Sequence, residues 1–499
     1  MWNIVVGPPG TGKTTFLLNQ AEGYLETGIN PSRIAYLAFT KKAAIEALNR
    51  AVLKFNLEPD ELPYFRTIHS LCYKCLGLKR SDVIGKDNFK ELGELLGEKI
   101  TGSWNSPQAS AQITTKADKM LFLENIVRNK RNSFKEEWEN SLVNYTWMHF
   151  DWFCRSYRKY KDTRFLIDYT DMLEQFLDSK NVPKLKALFI DEAQDLSALQ
   201  WECINKLAYN SEDVFVAGDD DQAIYKWAGA DVQHFIDLKG NEIQLTQSYR
   251  VPQKIHLLAN QIIQRTKNRR DKIWHPQERE GTVKFETSYE HIDLTQGNWL
   301  ILGRNNYLLN SVEEHLKIIG VLYERSNKVS IRQSLLEAIQ AWETMRKGGA
   351  VSLNKVKAVY SFLSSKIGIE RGKKNLKSAP EDDLYTMAIL KKNHGLLVDS
   401  IWHEAFDRVG AQEKEYLISC LRKEEKITSP RIKLSTIHAA KGGEADNVLL
   451  MTDIAKSTWN ELSTNPDNEN RTFYVATTRA RKNLCVIQPT TNKFFRVIF

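Results

Sequence analysis

Short apolar runs recur along the chain, separated by longer stretches of mixed spacing. Asn3 to Val6, 34–39, 186–190 and 214–218 are too short for helices and read as buried strands. A second set follows near 283–287, 298–303, 432–437, 447–452 and 484–488. Helix-compatible stretches lie between them, the first running from Thr15 to Tyr24. Strands alternating with helices predict parallel sheets of the α/β class. Two regions break the alternation. Residues 70–162 carry helical spacing, as at Leu92, Leu95, Leu96 and Ile100, and 331–426 is helix-rich with breaks at Gly348-Gly349 and around Pro380. Two α/β domains result, each interrupted by a mostly helical insertion.

The ends of the strands carry the chemistry. After 3–6 comes Gly7-Pro-Pro-Gly-Thr-Gly-Lys13-Thr14, which fits G-x-x-x-x-G-K-[ST] between a strand and a helix. Glycines let backbone N–H groups close around phosphates, and the new helix points its positive end at them. Lys13 is placed to reach the β- and γ-phosphates, and the Thr14 hydroxyl to ligate magnesium. The run 185–190 ends in Asp191-Glu192, at the sheet edge where open α/β sheets bind ligands. Asp191 is expected to hold magnesium, and Glu192 to orient and deprotonate a water. The run 214–218 leads into Asp219-Asp220-Asp221-Gln222, where the Gln222 amide can sense a γ-phosphate through both its carbonyl and its NH₂. Three acids beside a triphosphate would repel it. Most of them are therefore expected to turn to helix caps or solvent, with Asp219 and Asp221 structural.

Composition narrows the class further. The 499 residues predict two to four domains, and 42% hydrophobic with 26% charged residues is ordinary globular usage. The balance of 70 basic and 62 acidic residues leaves +8, a mild bias toward polyanions. No apolar run approaches the ~18 residues of a spanning helix. The first ten residues lack the pattern of a cleavable leader, and six scattered cysteines make no disulfide framework. Cys72-x-x-Cys75 has no second pair at metal-ligand spacing. A soluble, cytoplasmic, multidomain protein is expected.

Eight motifs in order give the chain a resemblance to the superfamily 1 DNA helicases of the UvrD/Rep type. They are GPPGTGKTT (7–15), LAFTKKAA (37–44), FRTIHSLC (65–72), LFIDEAQDLSALQ (188–200), GDDDQAIYKWAGAD (218–231), LTQSYR (245–250), IKLSTIHAAKGGEADNVLL (432–450) and NENRTFYVATTRARKNL (468–484). The resemblance implies two tandem RecA-like P-loop motor domains, each with a helical insertion. Motor 1 takes 1–69 and 163–247 around an insertion at 70–162; motor 2 takes 248–330 and 427–499 around a reduced insertion at 331–426. It implies ATP contacts at Gly10, Gly12, Lys13, Thr14 and Thr15, metal ligation by Thr14 and Asp191, and catalytic roles for Lys13, Glu192 and Gln222. Arg250 and Arg479 resemble the two arginine fingers, whose planar fork suits phosphate oxygens. Tyr249 resembles the tyrosine that stacks on adenine, and Glu444 the residue that contacts the ribose.

Single strands are held by aromatic stacking in a positive groove, each stacked base contributing ~1–3 kcal/mol. Phe39, Tyr225 and Trp227 match family residues that stack on bases or line the strand channel. Thr67, His69, Thr436 and His438 resemble its phosphate-backbone contacts. Basic and aromatic residues also crowd 128–161, where a solvated helix over an aromatic core and a DNA groove explain the pattern equally. Three departures stand out. The family's upstream glutamine motif is missing before Gly7, which puts ATP selectivity in question. Ala228 stands where arginine is usual, and Gly443 where leucine is. Past the last motif only a strand and Phe494-Phe495 remain, so no fused nuclease is expected. The family implies a Mg-ATP-dependent 3′–5′ helicase or translocase. It would act as a monomer on single-stranded DNA and single/double-strand junctions, with room for accessory proteins and no membrane role. Alternatives are a nucleotide-switched DNA-binding module, a translocase that unwinds only with a partner, and a P-loop kinase. The last leaves both distant arginines unexplained.

Overall fold

The computed structural model describes residues 1–102, 113, 115–141, 143–374, 376, 380–423 and 429–497. They form two compact units, Met1–Phe285 with Thr436–Phe499, and Glu286–Ser435.

The first unit is built on six strands: β1 (Trp2–Val6), β2 (Ile34–Ala38), β3 (Phe65–Thr67), β4 (Leu185–Ile190), β5 (Ser211–Gly218) and β6 (Asn241–Gln244). Their order is β3-β2-β4-β5-β1-β6, and every neighbouring pair runs parallel. Successive side chains feed opposite faces: Ile4, Val6, Leu188, Ile190, Val214 and Val216 enter one core, and Val5, Ala187, Phe189, Phe215 and Ala217 the other. A sheet covered on both sides has near-continuous apolar strands, which is why β1, β2, β4 and β5 stand out in the sequence. β3 has only three residues, and β6 is an edge strand of sequence Asn-Glu-Ile-Gln, so neither leaves an apolar run.

Because all six strands are parallel, β1, β2, β4 and β5 end on one edge, and that edge receives Gly7, Phe39, Asp191 and Asp219. The expected insertion contains helices Lys86–Leu96, Lys116–Lys130 and Trp147–Arg164 around a core of their own, including Phe89, Leu92, Met120, Phe150, Phe153 and Tyr157. Residues 103–112, 114 and 142 of that insertion lie outside the described residues. The first unit also holds a parallel pair, Ala445–Met451 with Ala480–Ile487, next to Thr282–Glu286. Helix Gln253–Ile263 packs on helix Pro466–Thr477.

In the second unit, strand Tyr323–Arg325 runs parallel to Ile432–Thr436 and antiparallel to Lys328–Val329, and Trp299–Gly303 flanks Ile432–Thr436. Helices Gln333–Arg346, Leu353–Ser361, Met387–Asn393 and Ala411–Arg422 fall within the span expected for the second insertion, where Trp342, Tyr360 and Phe406 are buried. Of its expected span, 375, 377–379 and 424–426 lie outside the described residues. The six-stranded sheet is parallel throughout, and the pairs Tyr323–Arg325 with Ile432–Thr436 and Ala445–Met451 with Ala480–Ile487 are parallel too, so the α/β class read from the strand spacing holds. Among the described residues no helix is long and apolar enough to cross a membrane.

Candidate nucleotide and nucleic-acid site

The glycine loop leaves β1 and turns into helix Lys13–Glu26. Gly10 sits at φ +79°, and a Cβ there would lie 2.6 Å from Cβ of Arg250, so both conformation and space require glycine. The close approach has a purpose. Tyr249 N donates to Gly10 O at 2.9 Å and Ser248 Oγ to Pro9 O at 2.8 Å, fixing the Tyr249-Arg250 segment against the loop. Gly12 begins the helix without a side-chain cap, so nothing from its own side chain competes for the first N–H groups. Lys13 is buried and its Nζ donates to Gly7 O at 2.7 Å, across the mouth of the loop.

Asp191 is tied on both oxygens. Its Oδ2 accepts from Thr14 Oγ1 at 2.6 Å and from Tyr36 OH at 2.8 Å, and Oδ1 accepts from Glu192 N at 2.9 Å. Burial, then the neighbouring Glu192 charge, raises the Asp191 carboxyl above its usual range, against these hydrogen bonds. Glu192 has the left-handed backbone φ +55°, a conformation that costs a non-glycine residue ~1–3 kcal/mol and clusters at functional sites. Burial alone would raise its carboxyl, but Lys441, Lys13 and the amide of Gln194 overcome that and hold it low. Glu192 is therefore ionised at neutral pH.

A hydrogen-bonded chain runs from Glu192 along the strand ends. Gln194 Nε2 donates to Glu192 Oε2 at 2.5 Å, while its Oε1 accepts from Asp219 N at 3.0 Å. Gln222 Nε2 donates to Asp219 Oδ2 at 2.8 Å, and Gln222 Oε1 accepts from Arg479 Nη2 at 3.2 Å. Arg479 is 2% exposed, not a surface arginine, and its Nε donates to Val475 O at 2.9 Å. Burial, then Arg250, pushes its guanidinium down to about 9, still a cation at neutral pH. Lys441 closes the ring by donating to Gln222 O at 2.7 Å and pairing with buried Asp195.

The three acids correct the sequence expectation. Asp219, Asp220 and Asp221 do not turn to solvent: all are buried, and Lys272 Nζ meets them at 2.8, 2.6 and 2.8 Å. Arg269 adds a two-pronged contact to Asp221, and Asp219 also caps the turn by accepting from Asp221 N. Burying three carboxylates is tolerable only with paired cations, and these come from 48 to 53 residues along the chain. Lys272 lies outside every sequence motif; Gln194, Asp195 and Lys441 lie inside the motifs at 188–200 and 432–450 but were not singled out there.

Arg250, Tyr249, Gln277, Arg279, Glu444 and Arg481 line a pocket of roughly 310 Å³. Tyr249 is 76% exposed there, and Glu444 bridges Arg250 Nη1 and Arg481 Nη1, each at 3.2 Å. Nothing in the sequence pattern pointed to Gln277, whose Nε2 donates to Arg250 O at 2.6 Å.

The aromatic residues gather beside Gln222 and Lys441. Phe39 stacks on Tyr225 at 5.5 Å, Tyr225 OH donates to His438 O at 3.1 Å, and Trp227 stacks on Phe122 of the insertion at 6.2 Å. His438 lies edge-on to Trp227 at 6.1 Å. Thr67 and Thr436 each accept from a backbone N–H three residues on, Ser70 and Ala439, so they also hold the chain turn at their strand ends. Burial pushes His69 down to about 4, which makes it neutral at physiological pH. In 128–161 the packed reading accounts for most residues. Trp138 and Trp147 join the insertion core, Arg128 and Lys161 are buried in ion pairs, and Lys130 and Arg131 are paired. Trp152, Arg155, Arg158 and Lys159 remain exposed.

The model of the UvrD/REP helicase N-terminal domain matches residues 2–242, and that of the UvrD-like helicase C-terminal domain matches 306–491. A "Probable DNA helicase II homolog" of Mycoplasma genitalium is 26% identical over 407 residues, 72% of this chain and 54% of that protein. The "Putative ATP-dependent DNA helicase YjcD" of Bacillus subtilis is 23% identical over 601 residues, covering 97% and 76%. An "ATP-dependent DNA helicase PcrA" of Staphylococcus aureus is 25% identical over 290 residues, covering 54% and 39%. The chain spans about half the length of several curated relatives it matches. With both domain models matched in order and the strand-edge motifs gathered at one parallel sheet, the chain belongs to the UvrD/Rep-type superfamily 1 helicases, built on two tandem RecA-like motor domains.

Proposed function

We propose that this chain hydrolyses Mg-ATP to drive itself 3′ to 5′ along single-stranded DNA and to open duplex at single/double-strand junctions. What carries the proposal is the unbroken hydrogen-bonded chain from Glu192 through Gln194, Asp219 and Gln222 to Arg479, which joins an ionised carboxylate to an arginine 257 residues from its glutamine partner. The glycine loop and Lys13 bind the triphosphate. The Thr14 hydroxyl and Asp191 carboxylate are hard oxygen donors side by side, which suits magnesium, and there the ion would neutralise phosphate charge. Glu192 orients the attacking water and takes its proton. Arg479 and Arg250 meet the developing charge on the γ-phosphate, and Tyr249 and Glu444 hold base and ribose. Gln222 precedes Tyr225 and Trp227 by a few residues, so a shift at the phosphate reaches the aromatic track through one short turn.

Strand separation on duplexes with a 3′ or a 5′ single-stranded tail tests this directly. Opening of the 3′-tailed duplex alone, abolished in Glu192→Gln, is expected. Lys13→Ala should lower DNA-stimulated ATPase by at least ~10²-fold, as loss of a group that stabilises transition-state charge does. ATPase that DNA does not raise would favour a nucleotide-switched binding module. DNA-stimulated ATPase with neither duplex opened would favour a translocase that needs a partner.

A further inference from the structure

Lys272 is a cation with no route to the phosphates. Its ammonium donates to Asp219 Oδ1 at 2.8 Å and to Asp220 Oδ1 at 2.6 Å, and it is ion-paired with Asp221 Oδ2 at 2.8 Å. The side chain is 2% exposed, so bulk solvent does not share the work. Of the three acids, only Asp219 continues onward, because its second oxygen accepts from Gln222 Nε2 at 2.8 Å.

That hydrogen bond settles which way the Gln222 amide faces. An amide can present its carbonyl or its NH₂ in either of two orientations of almost equal shape. An ionised Asp219 is acceptor-only, so it takes the NH₂ and leaves Oε1 toward Arg479, a donor-only guanidinium. Lys272 keeps Asp219 ionised despite complete burial. We propose that Lys272 and Asp219 are positioning residues for ATP hydrolysis, fixing the polarity of the Gln222 amide so that its carbonyl holds Arg479 at the γ-phosphate position. This rests on the ATPase function proposed above. Both Arg250 and Lys272 lie on the stretch 248–277, so the segment that supplies one finger also sets the partner of the other.

Reversing that polarity is the test. In Asp219→Asn, Lys272 keeps two carboxylates, but the NH₂ of the introduced amide can face the Gln222 NH₂, so the glutamine turns over and presents its NH₂ to Arg479. The expected result is at least a ~10-fold fall in kcat for DNA-stimulated ATP hydrolysis, with KM for ATP within about twofold, the pattern of an interaction lost only in the transition state. Asp220→Asn is the control. Asp220 shares Lys272, but it is Asp219 that accepts from the Gln222 amide, so in this variant Asp219 stays ionised, the amide keeps its orientation and kcat should stay within about twofold of wild type. A purely structural role of the acid cluster predicts equal losses from the two variants, so equal kcat in folded Asp219→Asn and Asp220→Asn overturns the proposal, as does an Asp219→Asn protein with wild-type kcat. If Asp219→Asn does not fold, Lys272→Gln takes its place: without the cation Asp219 binds a proton and donates it to Gln222, so the same fall in kcat is expected, and a folded Lys272→Gln protein with wild-type kcat overturns the proposal. Wild-type protein and Glu192→Gln run alongside. A wild type without ATPase removes the function and this inference together, whereas an active wild type with an indifferent Asp219→Asn removes the inference alone.

Discussion

Asp195 shows how one buried residue sets a pH dependence. Its carboxyl is pushed up to about 7, chiefly by burial, with Lys441 pulling the other way. Its Oδ1 has no hydrogen-bond partner, which leaves the charged form poorly solvated. Above pH 7 the ionised group pairs with Lys441 and pins it where it donates to Gln222 O. DNA-stimulated kcat is therefore expected to rise with pH through about 7, and that inflection should vanish in Asp195→Asn. Stability moves the other way. A carboxyl with a folded pKa above its unfolded value of 3.8 contributes fully below 3.8 and loses that contribution as pH rises through about 7. Melting temperatures should fall between about pH 4 and 7 in the wild type, level off above that, and stay flatter in Asp195→Asn; matching profiles in the two proteins would sink the assignment. At this scale, residues inside a contiguous motif were legible from the sequence: Lys13, Asp191, Glu192, Gln222 and Arg479 all meet at one edge. Lys272 was not, because it lies outside every motif and a lone lysine has no local pattern; Asp195 and Lys441 sit inside the motifs at 188–200 and 432–450, but their pairing with each other, 246 residues apart, has no signature in either.

Elements were legible where burial was two-sided. β1, β4 and β5 are covered on both faces and spell themselves out as apolar runs, whereas β3 and β6 do not. The insertion helices were visible by period, but the network that orders them was hidden. Arg128 on helix Lys116–Lys130 is 8% exposed and reaches Glu124, Asp168, Asp171 and Glu174, while Lys161 on helix Trp147–Arg164 meets Asp168 and Asp171. From the sequence these cations could equally face a DNA groove. Removing one partner from a buried ion network strands the rest, so Arg128→Ala should destabilise by ~3–5 kcal/mol. Arg131 is 38% exposed, and its pairs with Glu202 and Glu174 are worth no more than ~1 kcal/mol, so Arg131→Ala should be nearly silent. Denaturant unfolding of the two variants checks the contrast. Similar losses from both would mean that burial does not set the strength of these pairs.

For the whole molecule, the net charge of +8 is not used up by the internal ion pairs. Arg128, Lys161, Arg269, Lys272 and Lys441 are committed to internal acids that neutralise them, so the excess of positive charge lies on the remaining residues. Single-strand affinity should therefore combine that charge with stacking at Phe39, Tyr225 and Trp227, and the two contributions separate in a salt titration. Each phosphate contact contributes about −0.7 to the slope of log K against log salt on a single strand, while a stacked base leaves the slope alone. Trp227→Ala should thus lower affinity by ~1–3 kcal/mol at every salt concentration, on a line parallel to wild type. Lys226, exposed between Tyr225 and Trp227, gives the opposite signature: Lys226→Gln should flatten the slope by about 0.7. Trp227 also stacks on Phe122, so the melting temperature is measured on the same sample. A lower melting temperature with unchanged affinity would assign Trp227 to holding the insertion against the motor instead of to gripping DNA. A parallel downward shift with folding intact would place it on the track, one turn from Gln222.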